Sequence, residues 1–148
     1  DQPGIAANIF EPLASAHISV DMIIQNVSEQ GHTDLSFTLA REELEEAMVI
    51  MNKVAKKIHA TQVSADAKIV KISIVGAGMR SHSGVAAEIF KTLSAHKVNI
   101  LMISTSEIKV SCIIEQKNSK LAVNALHDAF KMADKPVKKK TARKVKAV

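Results

Sequence analysis

One pattern of hydrophobic and polar residues occurs twice in this chain, eighty positions apart. The two segments are GIAANIFEPLASAHISVDMI, from Gly4, and GVAAEIFKTLSAHKVNILMI, from Gly84, and they share eight of twenty residues. In each copy the first apolar residues fall at positions i, i+3, i+4 and i+7, which is one face of a helix. A mostly apolar segment follows at Ile18 and at Val98, so each copy predicts a helix and then a strand.

Both copies continue with an alternating strand and a second amphipathic helix. The strands are TDLSFTLA and IKVSCIIE, and the helices are REELEEAMVIMNKVAKKIHA and SKLAVNALHDAFKMA. The apolar stripe predicted for the first of these helices is Leu44, Ala47, Met48, Met51, Ala55 and Ile58. Between the copies, the pattern predicts a short strand near Thr61–Ser64 and a longer one over Lys68–Val75. Pro12 predicts a kink or a shorter helix in the first copy, because proline lacks the amide hydrogen that a helix interior uses.

This order of elements predicts an α+β fold made of two ferredoxin-like β-α-β-β-α-β units packed side by side. The expected boundaries are residues 1–65 for the first unit, 66–133 for the second and 134–148 for a basic, disordered tail. The first unit lacks its opening strand and the second has no obvious closing strand. Such incomplete units leave apolar sheet edges that need a partner.

Composition and charge narrow the classes of partner. Aromatic residues make up 3% of the chain, without Trp or Tyr, which argues against a base-stacking platform for single-stranded nucleic acid. The net charge of +5 comes from the tail: residues 135–148 hold seven Lys and Arg and no acid, which leaves 13 basic against 15 acidic residues elsewhere. The tail is typical of a solvated segment, with contact to a polyanion as the alternative. No apolar run is long enough for a membrane span, so we expect a cytoplasmic protein with no membrane partner.

The candidate chemistry is sparse. The turn GAGMRSHSG resembles a dinucleotide-binding fingerprint, but Ser81 stands where the third glycine belongs, and the predicted strand order is not of the Rossmann type. A glycine-rich turn explains it, as does a helix start that offers N–H groups to a small carboxylate. No histidine pair has metal-ligand spacing, and Cys112 fits a small apolar residue on a strand. We therefore expect no catalytic residue, metal or cofactor in this chain.

Four motifs carry a resemblance to a known family: VGAGM, SHSGVAAEIF, ISTSEIKVS and VDMIIQNVS. They resemble the regulatory region of aspartokinases, which consists of tandem ACT domains, and the resemblance extends from Asp1 to about Met132. It implies regulation of aspartate phosphorylation through feedback by threonine, lysine or both. It also implies a homodimer formed by ACT–ACT pairing. The catalytic kinase domain, which would use ATP and Mg, is absent, so the chain resembles a separate regulatory subunit or an excised fragment.

The resemblance also implies two effector pockets, because ligands in this family lie between a helix start of one unit and a strand of its partner. The first pocket would use Asp1, Gly4, Ile5, Ala6 and Gln25, with Asn99 and Ile100 of the facing unit. The second would use Met79, Ser81, His82, Gly84 and Val85, with Val20 and Asp21 of the facing unit. Helix-start amides would bind the α-carboxylate of the effector, Asp1 its ammonium group and Gln25 a polar side chain. Asp21 corresponds to Leu101, so the two pockets cannot be chemically identical.

Two other functions remain open from the sequence. The chain could serve as an ACT module for a different amino-acid enzyme, or it could bind nucleic acid or another polyanion through its basic tail. Deletion of the tail distinguishes polyanion binding from amino-acid binding, because polyanion binding would be lost and amino-acid binding would persist.

Overall fold

The computed structural model describes residues 3–27, 33–76 and 84–130, in two compact units, Asp1–Ala67 and Lys68–Val148. The described part of the first unit contains α1 (Ile5–Ser15), β1 (Val20–Val27), β2 (Thr33–Leu39) and α2 (Leu44–Ile58). That of the second contains β3 (Ile69–Val75), α3 (Val85–Ala95), β4 (Ile100–Thr105), β5 (Lys109–Glu115) and α4 (Ser119–Ala129). A 3-10 turn leads into each second helix, at Arg41–Glu43 and at Gln116–Asn118. The predicted α+β class is confirmed.

In the first unit, β1 and β2 form an antiparallel two-stranded sheet that the two helices cover on one face. The alternating side chains of β2 point at the helices, and Phe37 meets Phe10 of α1 edge to face at a ring-centroid distance of 5.4 Å. The buried residues of this core are Ile9, Leu13, Ile18, Ala47, Met51 and Val54. The core is therefore aliphatic apart from one aromatic pair.

In the second unit, the strand order is β3-β5-β4, and all neighbours are antiparallel. The central strand β5 has a neighbouring strand on each side and is buried from Val110 to Ile114. Val110, Cys112 and Ile114 belong to the core beneath the helices. The only polar buried residue of β5, Ser111, shares a hydrogen bond of 2.8 Å with Ser73 of β3. The hydrophobic core beneath the helices consists of Ile89, Leu93, Val98, Val110, Cys112, Ile114, Ala122 and Leu126.

The structural repeat continues beyond the aligned segments, although its offset changes. The first helices begin eighty positions apart, whereas the second helices begin at Leu44 and Ser119, seventy-five positions apart. The same shorter offset relates the buried pairs Ala47/Ala122 and Met51/Leu126. The difference of five positions has three sources: β1 is two residues longer than β4, the connection from β1 to β2 is two residues longer than that from β4 to β5, and Ala40 separates β2 from the 3-10 turn without a counterpart in the second unit.

One predicted strand is absent, and of the two effects expected of Pro12, a kink or a shorter helix, the shorter helix is not observed. Residues Thr61–Ser64 form no strand; Val63 is their only apolar residue and packs against the core of the first unit, while the residues that follow it up to Ala67 are exposed. Helix α1 is not shortened by Pro12, since it has 11 residues, as α3 does. The hydrogen bond that proline removes is the one from its own amide, and the Pro12 carbonyl still accepts a hydrogen bond from the Ala16 amide at 3.2 Å. The Asn8 carbonyl loses its helical donor, but Asn8 is exposed, so water can donate to this carbonyl instead.

The predicted apolar stripe of α2 was close but incomplete. Val54 was omitted and is buried together with Ala47 and Met51. The predicted positions Leu44, Met48 and Ala55 are only half-buried, because they flank the line that faces the sheet. No helix in the described ranges combines the length and the apolar character needed to cross a bilayer.

Candidate effector site

The starts of α1 and α3 have the same unusual geometry in both units. Gly4 has φ +92° and Gly84 has φ +106°, a left-handed backbone that glycine adopts without strain. Among the described residues, a Cβ added at either position would meet no atom within 4 Å, so none of them crowds either glycine. No described side chain caps either helix start, and within the described ranges the first amides of each helix can therefore donate to an outside partner. This arrangement suits a small carboxylate.

The predicted residues of the first pocket divide between the two units. Gly4, Ile5 and Ala6 are consecutive at the start of α1, and Gln25 is exposed on β1 opposite Leu35. Asn99 is exposed directly before β4, and Ile100, half-buried, begins that strand opposite Ile114. Asp1 lies outside the described residues.

The predicted residues of the second pocket also come from both units, with the helix start in the second unit and the strand in the first. Gly84 and Val85 lie at the start of α3, whereas Val20 and Asp21 are adjacent on β1. Met79, Ser81 and His82 lie outside the described residues. The described residues predicted for the two pockets therefore lie on equivalent elements of the repeat, a helix start and the first strand of a hairpin.

Both strands that contain predicted pocket residues are irregular at equivalent places. The pairing of β1 with β2 shifts between Val20 and Ile23, and that of β4 with β5 shifts between Ile100 and Met102. Asp21 and Leu101, which correspond in the repeat, lie within these two bulges and are both exposed. A bulge redirects side chains locally and commonly lies next to a functional site.

Sequence reasoning did not foresee these bulges or the residue that stabilises one of them. The Met22 amide, displaced from the regular ladder, donates to the Thr38 hydroxyl oxygen at 3.1 Å. An available signal was the polar Asp21 within the apolar run of β1, which interrupts the alternation expected of a half-buried strand.

The described residues give little support for a metal site or for a nucleophilic cysteine. They contain no cluster of His, Cys, Asp and Glu that could hold a metal ion. Cys112 is 2% exposed, and burial raises the pKa of its thiol, which favours the neutral form over a nucleophilic thiolate. A shallow groove of about 320 Å³ lies between α3 and α4, with Ala95, Ala125 and Ala129 among its lining residues. The groove contains none of the predicted effector-site residues.

Comparison with known proteins identifies the family of this chain. Residues 1–54 and 72–130 match the ACT domain family. The chain belongs to this family. It is 48% identical to a chain in the crystal structure of aspartokinase alpha and beta subunits, with a TM-score of 0.82 over 88% of this chain and 86% of that one. It is 38% identical, with the same TM-score and coverage, to the ligand-free regulatory subunit of aspartate kinase from Thermus thermophilus.

The same ACT region occurs in longer proteins. It is 53% identical over 132 residues to an aspartate kinase of Pseudomonas fluorescens, a match that covers 89% of this chain and 32% of that protein. The chain thus spans about a third of the length of the curated relatives that it matches. The resemblance to aspartokinase regulatory regions is confirmed, and the chain corresponds to the regulatory ACT region of an aspartate kinase.

Proposed function

We propose that this ACT region senses threonine, lysine or both and thereby imposes feedback inhibition on an aspartate kinase. The kinase domain or subunit would transfer phosphate from ATP, with Mg, to the aspartate side chain; the ACT region itself would need no cofactor. The observation that supports the proposal is the pair of helix starts at Gly4 and Gly84, which no described side chain caps, within a chain of the aspartokinase regulatory family.

The pockets require a second unit. The first pocket would combine the α1 start and Gln25 with Asn99 and Ile100 of a facing unit in a homodimer. The amides after Gly4 would bind the effector carboxylate, because the first turn of α1 contains no acidic side chain to compete for them. Gln25 and Asn99 are both exposed, so their amide groups are available for a hydroxyl or for the amino-acid head group.

The first pocket favours threonine over lysine. Gln25 and Asn99 contribute neutral amides, and Asp1 is the only acid assigned there. A bound lysine would need a second acid for its ε-ammonium group, because a desolvated charge without a partner is costly. The second pocket differs because Asp21 takes the place of Leu101, which makes it the better candidate for a cationic side chain.

Inhibition would follow from linkage between binding and the arrangement of the paired units. An effector shifts the equilibrium between two arrangements only by its differential affinity for them. Effector binding and substrate turnover would be coupled in this way through the contacts between the ACT region and the kinase domain. Only the arrangement that brings both halves of a pocket together would bind the effector tightly.

Calorimetric titration with threonine tests the proposal at Gln25. Loss of a hydrogen bond to the effector should cost on the order of 1.5–3 kcal/mol if the group that it meets is charged. Gln25→Ala should therefore weaken threonine binding roughly ten- to hundredfold, and circular dichroism should show an unchanged fold.

Asp21→Ala is the matched control, because it removes an exposed polar side chain from the same strand. It should leave threonine binding at the first pocket intact and weaken binding at the second. Unaltered threonine affinity in the Gln25→Ala chain would refute the pocket assignment, as would binding of lysine alone through Asp21.

A further inference from the structure

Helix α2 has an exposed face with a regular order of charges around one apolar residue. Val49 is 56% exposed at the centre of this face. Glu45 and Lys53 lie four positions before and after it, and Glu42 and Lys56 lie seven positions before and after it. All four charged residues are exposed. Glu45, Lys53 and Lys56 lie on one stripe of α2 with Val49, and Glu42 lies in the 3-10 turn that leads into this helix.

The charges on this stripe do not pair well along the helix itself. Four positions after Glu45 stands the apolar Val49, so Glu45 has no base at this spacing. Glu42 is followed at the same spacing by Glu46, and Lys53 by Lys57, so both of these pairs carry like charges. Like charges at this spacing are mildly repulsive. The helix dipole favours acids first and bases last, which explains the order but not the symmetry about Val49.

The same stripe is complementary to itself when one copy is rotated by 180°. Two antiparallel α2 helices related by a two-fold axis at Val49 would place Glu45 of each beside Lys53 of the other, and Glu42 beside Lys56. The two Val49 side chains would meet on the two-fold axis, and the contact would bury both of them away from water. A contact that repeats each residue pair in this way is the isologous type that closes a dimer.

We propose that the exposed face of α2 is a docking surface for the α2 helix of a second copy of this chain. The contact is separate from the ACT–ACT pairing of the proposed function, which uses strands and helix starts. One helix on each side buries less than a standard interface, so the contact is weak alone and screened by salt.

The second unit provides an internal comparison. Offset by seventy-five positions, Asn124 of α4 occupies the place of Val49, while Lys120 and Asp128 replace Glu45 and Lys53. The central residue of α4 is therefore polar, and the order of charges is reversed. Asn124 is exposed like Val49, which makes it a control position for a chemical probe.

Disulfide formation between copies tests the contact at its axis. Val49→Cys and Asn124→Cys are prepared in the full chain at low salt and oxidised under identical conditions; the native Cys112 is buried and does not compete. Antiparallel helices packed about 8–10 Å apart bring axial residues within disulfide reach. Val49→Cys should form a cross-linked dimer rapidly, whereas Asn124→Cys and the parent chain should not. Equal rates for Val49→Cys and Asn124→Cys would overturn the proposal.

Charge exchange tests the predicted pairs in the Val49→Cys background. Glu45→Lys or Lys53→Glu alone should slow cross-linking by about tenfold, because each replaces two attractive pairs by two repulsive ones. The two changes together restore opposite charges and should return the rate to within about threefold of the original. Lys120→Glu, the equivalent change on α4, should have no effect. A double variant as slow as the singles, or singles as fast as the parent, would contradict the antiparallel arrangement.

Discussion

At the scale of single residues, the two units use the same backbone geometry with different side chains. Gly4 and Gly84 are left-handed before the first helix of each unit, and His17 and Lys97 are left-handed after it, with φ 59° and 57°. Glycine accepts such angles freely, whereas His17 and Lys97 pay for them in conformational strain. The turns are conserved between the units because the helix and the following strand must meet at one angle.

These angles predict opposite effects for two substitutions in the second unit. Gly84→Ala should lower the free energy of unfolding by about 1 kcal/mol, because φ +106° is strained for alanine although its Cβ would meet no described residue within 4 Å. Lys97→Gly should raise it by up to about 1 kcal/mol, because glycine relieves the strain at φ 57°. Urea unfolding of both variants measures the two changes. Changes of the same sign would show that strain at these residues does not control stability.

At the scale of elements, neighbours decide how a strand or helix is buried. Strands β2 and β5 are equivalent in the repeat, yet β5 is buried from Val110 to Ile114, while β2 is at most half-buried over Asp34–Leu39. In the described ranges β5 has strands on both sides and β2 has one. Helix α1 similarly keeps the length of α3 despite Pro12, since packing of Ile9 and Leu13 against the core maintains it.

Replacement of the helical proline measures how much α1 is strained. Pro12→Ala restores an amide that can donate to the Asn8 carbonyl, and this should raise the free energy of unfolding by about 1–2 kcal/mol after the added freedom of the unfolded chain is deducted. Glu11→Ala, at the adjacent exposed position, should change it by less than about 0.5 kcal/mol. Denaturant titration of the two variants gives the comparison. A destabilised Pro12→Ala chain would mean that the proline is required for the helix geometry.

At the scale of the whole molecule, exposed apolar residues on edge strands indicate association. Ile23 on β1 is 53% exposed, and Leu101 and Ile103 on β4 are 45% and 44% exposed. Both strands lie at the edge of their sheets in the described ranges, and such edges tend to pair with another chain. Such exposure supports the proposed homodimer formed through ACT–ACT pairing, in which each pocket would use residues of both copies.

The edge strand β4 provides the test of this dimer. Light scattering of the parent chain at tens of micromolar should give at least the mass of a dimer, and Ile103→Lys should reduce it, because a charge at an apolar contact must be desolvated. Leu121→Lys on α4 is the control, since Leu121 is similarly exposed at 46% but lies on a helix. A monomeric parent chain, or equal loss of mass in both variants, would rule out pairing through β4.

The sequence by itself determined the repeat, the α+β class and the order of the main elements, because helical and alternating periodicities are local properties of a chain. The resemblance of its motifs identified the aspartokinase regulatory family and proposed the residues of both pockets. Tertiary structure alone decided the bulges at Asp21 and Leu101, the hydrogen bond of Thr38 to the Met22 amide and the unequal burial of β2 and β5. These features depend on which strands are neighbours and on where a ladder is interrupted, and pairing between distant segments leaves no periodic trace in either segment.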